Sequence, residues 1–171
     1  MRMVKNSFMI FLVVWLAIIV LMPKQAFYYT LEEALAKYEI ELNEENINEG
    51  LFSLSLEQVS VYFKGIKVAT IKEVNLYTFL FYSKTELQSL HMDDSLKSMV
   101  PQDTKKAIFS HSVLSPREVL VEADGFFGLM SGYIDLAQRR VHLDFNESKG
   151  IEMLKPQLKK DEKGWVYETS F

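Results

Sequence analysis

No cysteine occurs anywhere in this chain. That absence excludes disulfides, thiolate-bound zinc, iron–sulfur clusters and thiol catalysis. Histidine is scarce as well. His91, His111 and His142 are the whole supply, and no two stand in an H-x-x-x-H or H-E-x-x-H spacing that would bring imidazoles to one side of a helix. Phosphate-binding and dinucleotide-binding glycine loops are missing. The segment from Gly128 to Gly132 places its serine one position too late for a nucleophile elbow. A basic excess is absent too: 19 Lys and Arg stand against 23 Asp and Glu, a net charge of -4. A nucleic-acid binder needs a basic stripe, so no nucleic-acid partner is expected.

The polar residues that could carry chemistry do not converge in the sequence. His142 and Asp144 fall on one face of a strand, but a metal site needs three or more ligands, so the pair reads as a solvated polar face. In Ser110-His111-Ser112, neighbours on a strand point to opposite faces, so His111 cannot activate either serine. Adjacent Glu32 and Glu33 on a helix point apart and do not make a paired-carboxylate site. No catalytic residue, metal site or cofactor is expected, and the protein reads as a non-enzyme.

Apolar side chains are abundant, at 49% of the chain. The first concentration is "FMIFLVVWLAIIVLM", with Phe8 at its start, Trp15 at its middle and Met22 at its end. Fifteen residues carry no polar side chain apart from the indole, about 22 Å as a helix. A hydrocarbon core is about 30 Å thick, which Val4 and the residues around Ala26 to Tyr29 can help span, with Tyr28 and Tyr29 in the interfacial belt. The flank "MPKQAF" lacks the small-residue pattern of a cleavage site. An uncleaved anchor over 1–26 is therefore expected in preference to a removed leader. Arg2 and Lys5 precede the run, which puts the N-terminus in the cytoplasm and the body on the far side, in a bacterium the periplasm.

Beyond the anchor, Thr30 and Glu33 have capping-box spacing, and Leu31, Ala34, Leu35 and Tyr38 share a helical face. A short amphipathic helix and a polar connector are expected over 27–50. From 51 onward the pattern is β. Phe52, Leu54 and Leu56 alternate with polar residues, the phase flips at Glu57-Gln58, and Val59, Val61 and Phe63 continue. The flip predicts a bulge or bend. Lys64-Gly65 predicts a turn into a return strand with a second irregularity near Glu73. Leu87 is the expected inward residue of the next strand. Residues 93–106 read as a loop, and the following strand is expected to end before Pro116. Residues 126–145 read as a hairpin through "AQRR", 148–160 as a short helix with Ile151, Leu154 and Leu158 on one face, and "GWVYETSF" as a final strand. The fold class is mainly β: one transmembrane helix, a short amphipathic helix, and a bent antiparallel sheet or half-barrel of about eight strands over 51–171. Phe63, Leu76, Phe79, Phe81, Phe126 and Phe127 are the candidate lining of an apolar groove, or else core.

Three stretches resemble a known family: "LSLEQVSV" at Leu54 to Val61, the return through Gly65 to Val74, and "GLMSGYIDL" at Gly128 to Leu136. They look like the inner-membrane proteins that include type II secretion protein N and the AsmA-like envelope proteins, and more loosely the lipopolysaccharide-transport protein C. The resemblance touches about half of the body. It implies a half-barrel sheet in the periplasm and a role in envelope biogenesis, as a secretion-complex subunit or a lipid-handling groove. It implies no catalytic residues. The expected partners are the lipid bilayer and either a lipid ligand or an envelope protein. The alternative is a structural module that docks a partner through an exposed edge strand such as the C-terminal one.

Overall fold

A single antiparallel sheet organises the body, because eleven segments of the chain pair in nearly sequential order. The computed structural model describes residues 2–171 apart from 22, 80, 97–102, 147–149, 153 and 162–163. Met22, the expected end of the anchor, lies outside the described residues. Helix α1 (Arg2–Leu21) is followed, across Pro23, by α2 (Lys24–Ala36). The strands are β1 (Ile40–Asn43), β2 (Asn46–Glu49), β3 (Ser53–Phe63), β4 (Ile66–Phe79), β5 (Tyr82–Met92), β6 (Asp103–Ser112), β7 (Ser115–Gly125), β8 (Gly128–Asp135), β9 (Arg140–Phe145), β10 (Lys159–Asp161) and β11 (Gly164–Ser170). The sheet order is β1-β3-β4-β5-β6-β7-β8-β9-β11-β10, with β2 also paired to β3. The two ends of this order do not pair with each other among the described residues, so the sheet is open.

Register explains why the sheet has one apolar face. Residues directly opposite each other in an antiparallel ladder share a face. One transverse line reads Ile47, Leu56, Val74, Leu87, Ala107, Ala123, Met130, Phe145 and Trp165, each paired to the next. Every member is apolar. The line one residue away, through Ser55, Asn75 and Glu86 to Glu122, Ser131 and Asp144, is mostly polar. Burial on the apolar side falls into two clusters. The first gathers Leu54, Leu56, Val59, Ile71 and Val74 under Tyr28 of α2. The second gathers Ala107, Ala123, Phe127 and Phe145 under Ile151 and Leu158. Leu87 packs against both, which bears out its assignment as an inward residue.

The phase flip expected at Glu57-Gln58 is present. Gln58 adopts a left-handed backbone, φ 53°, and lets Leu56 and Val59, three residues apart, enter the same cluster. Ser89 does the same on β5, φ 52°, between Leu87 and Leu90. On β4 the corresponding step separates Val74 from Ile71, at the irregularity expected near Glu73. The three sites lie side by side across the paired strands and form a crease. The turn at Lys64-Gly65 has positive φ at both residues, 53° and 74°, the conformation of a type I′ hairpin matched to strand twist.

Several expectations are corrected. The sheet has eleven strands, not about eight, because the connector 43–50 supplies β2, the segment before it β1, and the end of the segment expected as a helix β10. Thr30 is not a helix cap. Its hydroxyl donates to the Ala26 carbonyl in mid-helix, because α2 is already under way from Pro23, nearly two turns earlier. The loop assigned to 93–106 gives up 103–106 to β6. Pro116 does not bound a strand; it is the second residue of β7, near a strand start, where a missing N–H is tolerated. Within the segment read as a helix, the described structure is a short 3₁₀ turn, Lys155–Gln157, followed by the start of β10, Lys159–Asp161. Its three predicted apolar residues nevertheless pack in the second cluster. The β8–β9 hairpin and the final strand β11 form as expected.

Among the described residues no helix is long and apolar enough to cross a membrane. The apolar run of α1 continues in the sequence through Met22, outside those residues. Most of the described large apolar side chains of α1, among them Val4, Phe8, Ile10, Phe11, Val13, Ile18 and Leu21, are exposed.

Candidate functional site

A pocket of about 370 Å³ lies between α2 and one end of strands β3, β4 and β5. Its origin is local. Pro23 breaks the helix and turns α2 onto the sheet, where Lys24 is held by Glu49 of β2, through its backbone N–H at 2.9 Å and its ammonium at 3.8 Å. Tyr28 then reaches the first cluster and is 3% exposed. Its hydroxyl donates to Glu44 at 2.7 Å. Burial, then the bond to Glu44, pushes that hydroxyl well above the ordinary tyrosine range. Burial and the nearby Glu44 likewise raise the Glu32 carboxyl. Tyr28 is thus a core residue, not the interfacial belt residue expected from the sequence; the tyrosine that faces outward is Tyr29.

Next to this pin, the helix and sheet do not close on each other. Phe27, Tyr28 and Leu31 line it from α2, and Phe52, Leu54, Leu76 and Thr85 from the sheet side. The walls are apolar. Lys24, Ser83 and Lys84 supply polar groups at the lining. Lys84 is bound to Glu86 at 2.8 Å, which raises its ammonium above the ordinary value. Nothing in the lining is arranged as a nucleophile with a base. The pocket can hold an apolar group with a polar end.

The six residues expected to line a groove do not come together. Leu76 lines the pocket. Phe127 is buried in the second cluster, edge-on to Phe145 at 5.9 Å. Phe79 packs edge-on against Phe52 at 5.1 Å, and Phe81 stacks on Trp15 of α1 at 6.1 Å. Phe63 and Phe126 are exposed at the opposite end of the sheet. Of the six, read as groove lining or else core, Leu76 lines the pocket and Phe127 lies in a core cluster. Phe27, Leu31 and Phe52 were missed. Phe52 and Leu54 were visible as one side of an alternating strand, but nothing local in "KQAFYYTL" shows that α2 folds back over them.

On the polar face, His142 meets two carboxylates: Asp144 at 3.3 Å through Nε2 and Glu168 at 3.2 Å through Nδ1. The two nitrogens lie on different edges of the ring, so the carboxylates do not converge on one point. Tyr133 stacks on the imidazole at 5.2 Å. Among the described residues no three His, Asp or Glu side chains could hold a metal ion. A hydrogen bond from Lys159, then one from His142, lowers the Glu168 carboxyl below its usual range.

Against protein-family models, curated proteins and solved structures, the chain finds no match.

Proposed function

We propose that this protein is a single-span, non-enzymatic component of a bacterial cell envelope that holds a lipid chain in the pocket under α2. In this reading α1 is the inner-membrane anchor, the N-terminus is cytoplasmic and the sheet is periplasmic. The observation that carries it is the pocket itself. It is apolar-walled, about 370 Å³ in size, and framed by the helix that directly follows an apolar segment most of whose described large side chains are exposed. Exposed apolar surface on that scale is unfavourable in water and marks a membrane or partner contact. The polar groups at the lining suit a headgroup, and the apolar walls suit an acyl chain. The resemblance to envelope secretion and lipid-handling proteins points the same way.

The test is native mass spectrometry with lipid extraction on the full chain purified from bacterial membranes. The reading expects a stoichiometric phospholipid or glycolipid that survives detergent washing and is lost when Leu76→Trp fills the pocket. Equal lipid content in both proteins, or none in either, sinks it.

One observation favours a second reading, docking through a sheet edge. β10 covers only Gly164 to Val166 of β11, and Tyr167 to Ser170 have no strand partner on that side among the described residues. A photocrosslinker at Tyr167 that captures one defined envelope protein in cells, alongside a lipid-free pocket, favours this reading over the first.

A further inference from the structure

The antiparallel meander sends alternate turns to the same end of the sheet. The β4–β5, β6–β7 and β8–β9 turns share one end with the start of β3 and the end of β11, since Phe79 pairs with Tyr82, Ser112 with Ser115, Asp135 with Arg140, Ser53 with Tyr77 and Ser170 with Arg140. Backbone bonds tie neighbouring tips into a row: Val113 N–H donates to the Phe81 carbonyl, Leu136 N–H to Arg117 and Phe171 N–H to Arg139. Turn tips in water are ordinarily polar. Here they are Leu51, Phe81, Val113, Leu114, Leu136 and Phe171, all exposed, with Leu114 at 89%.

Two further observations say what covers this row. First, it continues into α1. Phe81 stacks on Trp15, six residues before the end of the helix at Leu21, or about 9 Å along the axis. That is the depth to which apolar faces sink at a bilayer interface, about 5–10 Å. Second, arginine is concentrated beside the row, next to the carboxylates Glu118 and Asp135. Every arginine beyond Arg2 is here: Arg117 follows the β6–β7 turn, and Arg139 and Arg140 close the β8–β9 turn. Among the described residues the opposite end has fewer exposed apolar side chains, and none of them touches α1 in a ring contact.

We propose that this end of the sheet is a membrane-insertion edge. Its apolar tips enter the headgroup–acyl boundary of the bilayer that α1 spans, and the three arginines bind anionic lipid headgroups. The body stands end-on, with the pocket-lining residues Phe52 and Tyr77, which lie at this end of the sheet, toward the lipid surface, so a chain can pass from bilayer to pocket without crossing water. The inference rests on the anchor reading of α1.

The absence of cysteine makes the test direct. The full chain, carrying one of Leu114→Cys, Leu136→Cys, Ile66→Cys or Val13→Cys and labelled with an environment-sensitive fluorophore, is reconstituted in vesicles of phosphatidylcholine and phosphatidylglycerol containing a shallow spin-labelled lipid. Labels at 114 and 136 are expected to shift to the blue and lose roughly half their emission, the label at 66 at the opposite end to lose none, and the label at 13 in α1, deeper in the bilayer, to be quenched most by a mid-chain spin-labelled lipid used in place of the shallow one. Arg139→Gln with Arg140→Gln weakens quenching at 136 when phosphatidylglycerol is present and not in phosphatidylcholine alone. If 13 is quenched and 114 and 136 are not, the edge proposal falls and the anchor stands. If 13 is not quenched, both fall. Equal quenching at 66 overturns the end-on arrangement, and label–label contact between copies without quenching by lipid assigns the row to self-association instead.

Discussion

The Tyr28 hydroxyl donates to the Glu44 carboxylate at 2.7 Å, and this bond pins α2 across the first core cluster. Tyr28→Phe keeps the ring and removes the bond, which costs about 1–2 kcal/mol. Tyr28→Ala also empties the space beneath the helix and costs about 3–5 kcal/mol. Urea unfolding of the two variants separates the terms. Because burial raises the hydroxyl above its unfolded value of about 10, its contribution is fully present below that pH and is lost as pH rises beyond it. The wild type therefore loses stability on the alkaline side in excess of Tyr28→Phe. Parallel alkaline limbs would contradict the buried bond.

Gly132 is a close backbone approach. A Cβ there would overlap the His142 carbonyl, with the Leu143 backbone also under 3 Å away at 2.8 Å. Backbone cannot swing aside as a flexible side chain can, so Gly132→Ala is expected to cost about 1–3 kcal/mol or more through overpacking. Gly65 is the control: no atom lies within 4 Å of its Cβ position, and its φ of +74° is the only obstacle, worth about 1–2 kcal/mol. Thermal melts of the two variants, with hydrogen exchange on β8 and β9, check this. Local loss of protection at the β8–β9 ladder belongs to Gly132→Ala alone.

Glu86 is the hub of the polar face. Lys106 and Lys84 each reach it at 2.8 Å, and Gln88 donates to it at 3.3 Å. The hydrogen bond from Lys106, then that from Lys84, holds its carboxyl below the ordinary value. The folded state therefore favours the charged form. That contribution is present above the unfolded glutamate value of about 4.3 and is lost as pH falls through the lower folded value. Both lysines are partly solvated, so Glu86→Gln costs only about 0.5–1 kcal/mol at neutral pH. The difference between wild type and variant should shrink as the solution is acidified below pH ~4.3. A difference that persists unchanged into acid would mean that the side chain acts through packing.

What the sequence carried well was anything set by neighbours in the chain. The Lys64-Gly65 hairpin, the phase flip at Gln58 and the inward Leu87 all follow from alternation and turn chemistry within a dozen residues. The pocket did not, because its walls come from residues 27–31, 52–54 and 76–85, and only the fold-back of α2 unites them. The two halves of the core share this property. Ile151 and Leu158 were readable as one apolar face, but the partner they cover, Phe127 and Phe145, could not be read from spacing. The aromatic cluster at 76–82 divides for the same reason: Leu76 faces the pocket, whereas Phe79 and Phe81 lie at the strand end, where side-chain direction is set by the turn and by contact with α1.

The crease makes the last prediction. Gln58 and Ser89 both hold left-handed backbone without being glycine, φ 53° and 52°, at a cost of about 1–2 kcal/mol each relative to an unstrained residue. That cost persists because the flip puts Leu56 with Val59, and Leu87 with Leu90, on the apolar side. Gln58 itself is exposed, so substitutions there act on the backbone. Gln58→Gly relieves the steric cost and adds about 0.5–1 kcal/mol of chain entropy to be lost on folding, leaving stability nearly unchanged. Gln58→Val puts a β-branched side chain where φ must be positive and should destabilise by at least about 1 kcal/mol. Calorimetry decides between the two. If valine were tolerated as well as glycine, the strand would have reached Val59 by sliding its register instead. In that case the pairing of Val59 with Ile71 and of Val61 with Ala69 would be lost, a change visible in cross-strand NMR contacts.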